Sequence, residues 1–494
     1  MINEKRFSIL SYPNNLVIGI TMVAALFSFL YIGQKSIWLD EATSISIAKL
    51  PWEGFWERLS SRDLNQGLYY FLLRFWVILG ESESVVRALS ALFAIASIPV
   101  LYALAKRMFG VRAGLITSLL ISVNAFFIEY AQEARGYSLV FFLVVLSSYL
   151  FVLVTENFSN KKMVCGYIAV SALAVYAHFF AALVLIAQTL SVPFLPSNKI
   201  RARQLLLTNL AIATLSIPIA LFILTKDSGQ ISWIPKPSIS LLKGLFTDLS
   251  GDAGQLGRIT SFYLLACIIS FTHALSTFFR TGRSIDTWRY AFISFWLIVP
   301  IGISFIFSFT KPVFINKYLI VSLPGLVLLA GVGVSLIEDK YCYFILLILL
   351  LFFSCRSVIS DYYPKEKENY KDSASYVVTH AKRGDGILFY PKYIYKPFEY
   401  YLNRLNTPLD LLDRHYSSKL GHHRDTEDRY PDLTIPYLES LKYKYEQIWI
   451  ILRHENNSEI GTVSRNIVNT VNTHFQLKQE KNYYNVRVLQ FVKK

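Results

Sequence analysis

A pair of adjacent carboxylates, Asp40-Glu41, follows the first long charge-free segment of the chain. Residues 16–33 carry no charge, and the run KSIWLDEATS comes directly after them. A carboxylate beside hydrocarbon is costly to desolvate, and desolvation raises its basicity. Such a group suits general-base chemistry at a membrane surface. The plainer interpretation is that the pair is a solvated charge in a loop. The choice between the two interpretations depends on which other residues lie on the same face of the membrane.

The composition indicates the class of protein. Of the 494 residues, 53% are hydrophobic and 17% are charged, and the mean hydropathy is +0.39. This balance excludes an ordinary soluble enzyme and favours a polytopic membrane protein. The net charge of +15 suits basic loops facing anionic lipid, not nucleic acid. The 4 cysteines show neither metal-ligand spacing nor a disulfide pattern.

About eleven apolar segments are candidates for membrane spans. They lie near residues 16–33, 84–105, 113–128, 138–154, 163–177, 179–195, 204–224, 261–279, 288–308, 318–337 and 341–358. With a cytoplasmic N-terminus, every inward turn is basic, which is the positive-inside pattern. The cations of these turns are Lys106, Arg107, Arg112, Lys161, Lys162, Lys199, Arg201, Arg203, Arg280, Arg283, Arg289 and Lys340.

The unusual polar sequences then fall on the opposite, outer face. They are Asp40-Glu41, the link EYAQEARGY at 129–137, His178 in YAHFF, Trp233 in SWIP, and KPVFINKY at 311–318. Chance would scatter such sequences over both faces. Their sorting predicts an extracytoplasmic site, and the odd number of spans places the C-terminal tail outside as well.

The first outer loop contains two short amphipathic stretches, 44–60 and 67–79. Both are predicted to be interfacial helices lying along the membrane surface. The alternative is that 67–79 is a tilted span. That arrangement would invert every later loop and place its basic residues outside, against the positive-inside rule.

The tail has the pattern of a second domain, so the predicted division is 1–358, transmembrane, and 359–494, a small α/β domain. A helix is predicted at 367–382, strands at 384–390 and 447–453, a helix near 459–473, and strands within 474–492. Residues 404–435 are predicted to be a long loop, in which His422-His423 are more simply solvated than metal-bound. The chain has no nucleotide-binding fingerprint.

In their order along the chain, these runs resemble the integral-membrane glycosyltransferases of the GT-C fold. The closest group includes protein O-mannosyltransferases, lipid A aminoarabinose transferases and rhizobial lipopolysaccharide glycosyltransferases. The resemblance is detailed over about residues 15–200, in IGQKSIWLDEATSISIAKL, the LYY run, the G-x-SE-x-x-x-R segment and IEYAQEARGYSL. It is looser at KPVFINKYLIVSLPG and KENYKDSASYVVTHAKRGDGILFY. Where many members have a Pro-Pro motif before LYY, this chain has Asn65-Gln66-Gly67.

The resemblance implies transfer of a sugar from a polyprenyl phosphate to a hydroxyl of a lipid, glycan or protein, with inversion. It implies that Asp40 is the base and that Glu129 or Glu133 supplies a second acidic group. From its position alone, Glu41 either orients Asp40 or only shares its solvent shell. The donor phosphate is expected at Lys317, Tyr318, Arg135 and Lys311. Substrate contacts are expected at Glu129, Tyr137, Asn65, Tyr69, His178 and Trp233. No cofactor is certain, and a divalent cation is left open.

The residues fit this chemistry independently, because lysine and arginine stabilise the charge that develops on a leaving phosphate. Several of them also have plainer interpretations. Arg135 could anchor the interface, while His178 and Tyr69 could belong to the aromatic belt. Trp233 could be an anchor or a lid that stacks on a sugar. The main alternative function is a transporter or flippase of lipid-linked sugars, and the expected location is a bacterial inner or plasma membrane.

Overall fold

The computed structural model describes residues 13–196, 202–225, 234–254, 256–407, 412–414, 435–453 and 458–494. The chain divides into two compact units. The helical unit comprises Met1–Ile32 and Leu50–Pro364, and the α/β unit comprises Gly33–Lys49 and Lys365–Lys494. The grouping of residues 33–49, which include Asp40 and Glu41, with the C-terminal residues is a feature that the sequence did not predict.

The helical unit consists of α1 and α3 to α17, and α2 belongs to the α/β unit. The bounds are α1 Pro13–Phe29, α2 Leu39–Ala48, α3 Trp52–Arg58, α4 Gly67–Trp76, α5 Glu83–Phe109, α6 Val111–Ser122, α7 Ala125–Ala131, α8 Tyr137–Glu156, α9 Lys161–Ala177, α10 Ala181–Ser191, α11 Ala202–Leu215, α12 Ile217–Thr225, α13 Ile239–Leu249, α14 Arg258–Thr281, α15 Ile285–Phe307, α16 Leu323–Ser335 and α17 Lys340–Arg356. A 3₁₀ segment, Asn316–Ser322, leads into α16.

Six helical stretches in the described ranges are long and apolar enough to cross a membrane, or up to eight if each bent pair is one span. This is the architecture of a multi-pass membrane protein, while the count of about eleven spans stays a prediction. The predicted segments 113–128 and 204–224 are both broken. The chain bends by 63° between α6 and α7 and by 54° between α11 and α12. Asn124 caps α7, and Pro218 cannot donate a helical hydrogen bond just after the second break.

The stretches predicted to be interfacial contain α3 and α4, of 7 and 10 residues, which are too short to span a bilayer. Their aromatic side chains pack together, with Phe71 and Phe75 rings 5.2 Å apart and Trp52 6.1 Å from Phe75. The Arg74 guanidinium lies 3.9 Å from the centre of the Trp52 ring. Exposed tryptophan and phenylalanine beside arginine is the pattern expected at a membrane interface.

The C-terminal end of α1 is bound by the link that follows α7. Gln132 Nε2 lies 3.1, 3.1 and 2.7 Å from the carbonyl oxygens of Phe27, Ser28 and Leu30. Arg87 Nη1 donates to the Ile32 carbonyl at 2.8 Å. Because the last carbonyls of a helix have no intrahelical donor, Gln132 satisfies those at the end of α1 and ties the helix to the 129–137 link. Arg87, from α5, binds the chain just after α1.

A buried polar network joins α8, α9 and α10. Gln188 Oε1 accepts from the Tyr167 hydroxyl at 2.6 Å, and Gln188 Nε2 donates to Ser148 Oγ at 3.1 Å. Ser147 and Ser171 hydroxyls are 2.8 Å apart in the same layer. Such bonds hold apolar helices together where packing alone gives little specificity.

The α/β unit contains α2, α18 Tyr370–His380, β1 Asp385–Tyr390, α19 Tyr395–Arg404, β2 Leu412–Arg414, α20 Ile435–Ser440, β3 Gln447–Arg453, α21 Ser458–Asn472, β4 Phe475–Tyr483 and β5 Val486–Lys493. The strand order is β2-β1-β3-β5-β4. Strand β1 is parallel to β2 and β3, and β5 is antiparallel to β3 and β4. The predicted small C-terminal sheet is confirmed.

Candidate active site

A cavity of about 880 Å³ lies within the helical unit. Part of its lining is polar and includes Arg62, Asp63, Asn65, Gln66, Tyr70, Arg135, Lys311 and Tyr318. The rest is largely apolar and includes Phe179, Leu183, Ile186, Ile212, Ile219, Ile223 and Phe307. Three cations and a long apolar wall could accommodate an anionic group carried on a hydrocarbon chain.

Arg135 is held at the cavity by contacts to both its side chain and its backbone. Its Nη1 donates to the Tyr70 hydroxyl at 3.0 Å. Its carbonyl accepts from Ser90 Oγ at 3.1 Å, and Ser90 Oγ is 2.9 Å from the Tyr69 hydroxyl. Tyr70 therefore lines the cavity, while the fully buried Tyr69 supports the arginine from behind.

The Asn65-Gln66-Gly67 sequence has a definite role here. Gln66 Oε1 accepts from the Gly136 backbone N–H at 3.1 Å. A Cβ at Gly136 would lie 3.2 Å from Tyr69 Cβ and 3.3 Å from the Ala177 carbonyl oxygen, so only glycine fits without displacement. Gln66 thus joins the segment before α4 to the link that carries Arg135.

His178 lies between α9 and α10, against residues that line the cavity. Its ring centroid is 4.9 Å from that of Tyr318 and 5.2 Å from that of Phe179. Asn65 Nδ2 is 3.5 Å from His178 Nε2, and Asn65 Oδ1 accepts from the Phe179 N–H at 3.3 Å. Burial, followed by the charges of Arg135 and Lys317, lowers the pKa of His178 to about 3. The ring is therefore neutral at physiological pH.

The loop from α15 to Tyr318 brings Lys311 to the cavity. Ser308 Oγ accepts from the Val313 N–H at 3.1 Å, and Asn316 Nδ2 donates to Asp248 Oδ2 at 2.6 Å. These contacts fix both ends of the loop. Lys311 and Tyr318 line the cavity, whereas Lys317 lies outside the lining but within electrostatic range of His178.

The acidic residues lie in both units. In the helical unit, Glu129 is half-buried and Glu133 is buried, and neither lines the cavity. Both are within electrostatic range of the Tyr362 phenol. In the α/β unit, Asp40 and Glu41 occupy the first turn of α2, where the helix dipole favours negative charge. Asp40 is half-buried and Glu41 is fully buried.

The cavity therefore gathers four of the residues predicted for the site: Asn65, Arg135, Lys311 and Tyr318. Tyr137 is fully buried outside the lining, with its ring 4.9 Å from that of Tyr130. Trp233 and His422-His423 lie outside the described residues. Sequence reasoning missed Arg62, Asp63, Gln66 and Tyr70 as lining residues, although Tyr70 stands in the same LYY run as Tyr69.

Within the described ranges, no group of three or more His, Cys, Asp or Glu side chains could hold a metal ion. A role for a divalent cation stays a prediction of the resemblance.

Residues 67–225 match a family described as dolichyl-phosphate-mannose-protein mannosyltransferase. This range contains Tyr70, Arg135, His178 and most of the apolar wall of the cavity. No curated protein matches the chain by sequence.

Solved structures resemble the chain over most of its length. ArnT from Cupriavidus metallidurans bound to undecaprenyl phosphate is 12% identical, with a TM-score of 0.61, over 97% of this chain and 98% of that one. The same protein in the apo state is 12% identical, with a TM-score of 0.59, over 97% of this chain and 98% of that one. A third structure is AglB, an oligosaccharyltransferase from Archaeoglobus fulgidus, in complex with an inhibitory peptide and a dolichol-phosphate. It is 9% identical, with a TM-score of 0.54, over 89% of this chain and 69% of that one.

At these identities the likeness shows the fold, and the fold is GT-C. The resemblance to polytopic GT-C glycosyltransferases, inferred above from the order of the sequence runs, is confirmed.

Proposed function

We propose that this chain is an integral-membrane glycosyltransferase that moves a sugar from a polyprenyl phosphate to a hydroxyl group of a lipid, glycan or protein. The observation that supports this proposal best is the cavity, whose lining includes Arg62, Arg135, Lys311 and a long apolar wall. A polyprenyl phosphate has the same division into one anionic group and one hydrocarbon chain. The polyprenyl phosphates bound by ArnT and AglB support this choice of donor.

Arg135 and Lys311 are proposed to bind the donor phosphate. Transfer converts a phosphodiester into a monoester, so negative charge grows on the phosphate as the bond to the sugar breaks. Cations already in place stabilise that charge without reorganising. The hydrogen bond from Arg135 to Tyr70 preorients the guanidinium, and Lys317 adds positive potential next to Tyr318 and His178.

Asp40 is proposed as the general base that deprotonates the acceptor hydroxyl. A single displacement by that hydroxyl inverts the configuration at the sugar carbon and needs one base but no carboxylate nucleophile. Glu41, buried beside it, is proposed to orient Asp40. Glu133 and Glu129 are the alternative carboxylates, in the link that also carries Arg135.

Asn65 and Tyr318, which line the cavity, are proposed to contact the sugar, and the neutral, buried ring of His178 to support them from behind. Neutral hydrogen-bonding groups and aromatic faces recognise hydroxyls without competing for the phosphate charge. Tyr69 and Tyr137 would act behind this surface, and a role for Trp233 in covering the sugar remains a proposal from the sequence alone.

The comparisons offer no support for the transporter alternative. The direct test of function is an assay of purified wild-type protein in proteoliposomes with a panel of polyprenyl-phosphate sugars and of lipid, glycan and peptide acceptors that carry hydroxyl groups. Release of polyprenyl phosphate that requires an acceptor supports transfer. Movement of the intact donor between leaflets without its cleavage would favour a flippase instead.

The site and the C-terminal domain are proposed to be extracytoplasmic. In a variant lacking the native cysteines, Lys236→Cys and Lys478→Cys should react with an impermeant thiol reagent on intact cells. Lys161→Cys should react only after permeabilisation, because basic turns stay inside. Labelling of residue 478 only after permeabilisation would contradict the placement of the tail.

A further inference from the structure

The three residues that precede the first turn of α2 are held by the C-terminal part of the α/β unit. The Ile37 N–H donates to the Tyr401 hydroxyl at 2.8 Å. Ser36 Oγ accepts from the Lys371 N–H at 3.2 Å and lies 3.3 Å from the Tyr401 hydroxyl. The Lys367 ammonium lies 5.4 Å from the centre of the Trp38 ring.

These contacts fix the residues just before a helix that has no side-chain cap. Trp38 stands at the N-cap of α2 and makes no side-chain capping bond, so the direction of the helix depends on how residues 36–38 are fixed. Ile37 is 0% and Tyr401 3% exposed, so water cannot substitute for the Tyr401 hydroxyl at the Ile37 N–H. A buried N–H without an acceptor is strongly unfavourable.

We propose that Tyr401 is a positioning residue for Asp40, and that the C-terminal α/β unit serves as the support of the catalytic loop. The proposal rests on the proposed function, in which Asp40 is the base. A base must lie within hydrogen-bond reach of the proton that it removes. Asp40 follows the anchored residues by two positions, so loosening Ile37 moves the carboxylate directly.

The test compares Tyr401→Phe with Tyr400→Phe on the same helix. Tyr401→Phe keeps the ring that packs 4.9 Å from Tyr400 and removes only the hydroxyl. Tyr400→Phe removes the neighbouring hydroxyl, which accepts from Arg404 Nη1 at 3.3 Å. Each variant is measured for kcat, donor KM, thermal unfolding and hydrogen exchange in the segment 36–41.

Tyr401→Phe should lower kcat by about 10- to 100-fold, because small misplacements of a catalytic group have effects of this size. Donor KM should stay near wild type, the unfolding temperature should fall by a few degrees because the Ile37 N–H loses its acceptor, and exchange at 36–41 should increase. In the Asp40→Asn background the same change should cause no further loss of kcat. Tyr400→Phe should change none of these quantities.

An unchanged kcat in Tyr401→Phe would overturn the positioning role, as would an equal further loss in the Asp40→Asn background. A wild-type protein that transfers no sugar would instead contradict the proposed function. In that case, unchanged exchange at 36–41 in Tyr401→Phe would still refute the anchoring.

Discussion

Replacing Asp40 by asparagine should slow sugar transfer by about two to four orders of magnitude, the usual contribution of a general base. The substitution keeps the size of the side chain and its capacity for hydrogen bonds but removes the basic carboxylate. Donor binding should survive, because the proposed donor contacts are the cations and the apolar wall of the cavity. The measurement is single-turnover transfer in proteoliposomes, with donor binding determined for the same preparations.

Two variants calibrate this result. Glu41→Gln should reduce turnover less, since Glu41 is proposed only to orient its neighbour. Because its side chain is fully buried, the folded fraction is measured as well. Glu53→Gln removes an exposed carboxylate of α3 and should leave transfer unchanged. Near-normal turnover of Asp40→Asn would contradict the role of Asp40 as general base. Glu133 and Glu129 would then be the carboxylates to test.

Replacing Arg135 by glutamine should weaken binding of polyprenyl phosphate by about 10- to 100-fold, since a hydrogen bond to a charged group contributes about 1.5–3 kcal/mol. Binding of the uncharged polyprenol should stay the same, because its apolar contacts are untouched. Titration of the detergent-solubilised protein with both lipids gives the two affinities.

The matched control for Arg135 is Lys236→Gln, which removes an exposed cation that does not line the cavity. The affinities of Lys317→Gln for the same two lipids show whether Lys317 also binds the phosphate. If Arg135→Gln weakened phosphate and polyprenol equally, the residue would be a structural anchor, as its plainer interpretation holds. If Lys317→Gln changed acceptor saturation alone, Lys317 would belong to the acceptor side.

Much of the fold follows from local sequence patterns. The strand predicted at 447–453 has the bounds Gln447–Arg453, because an uninterrupted apolar run between polar residues is typical of a strand buried on both faces. The helix predicted near 459–473 is α21, Ser458–Asn472. The ranges 129–137 and 311–318 interrupt apolar sequence, and each carries a cation that lines the cavity, Arg135 and Lys311.

The features that were missed depend on distant contacts. Gln132 reads as one more polar residue of its link, and only the position of α1 shows that it binds the carbonyls at that helix end. Residues 33–49 follow a span in the sequence but fold with residues 365–494. The choice between Tyr69 and Tyr70 at the cavity depends on the rotation of α4, which a hydrophobic run does not encode.

Binding of a polyprenyl phosphate in the cavity is the step on which the proposed function depends, and photo-crosslinking can detect it. A polyprenyl phosphate that carries a diazirine in its isoprenoid chain should label the cavity segments 182–190 and 212–224. Excess unlabelled polyprenyl phosphate should suppress that labelling, and Arg135→Gln should reduce it. Labelling could instead spread over exposed apolar residues outside the cavity, such as Leu275 and Phe352, and be insensitive to the competitor. That result would contradict binding of the polyprenyl phosphate in the cavity.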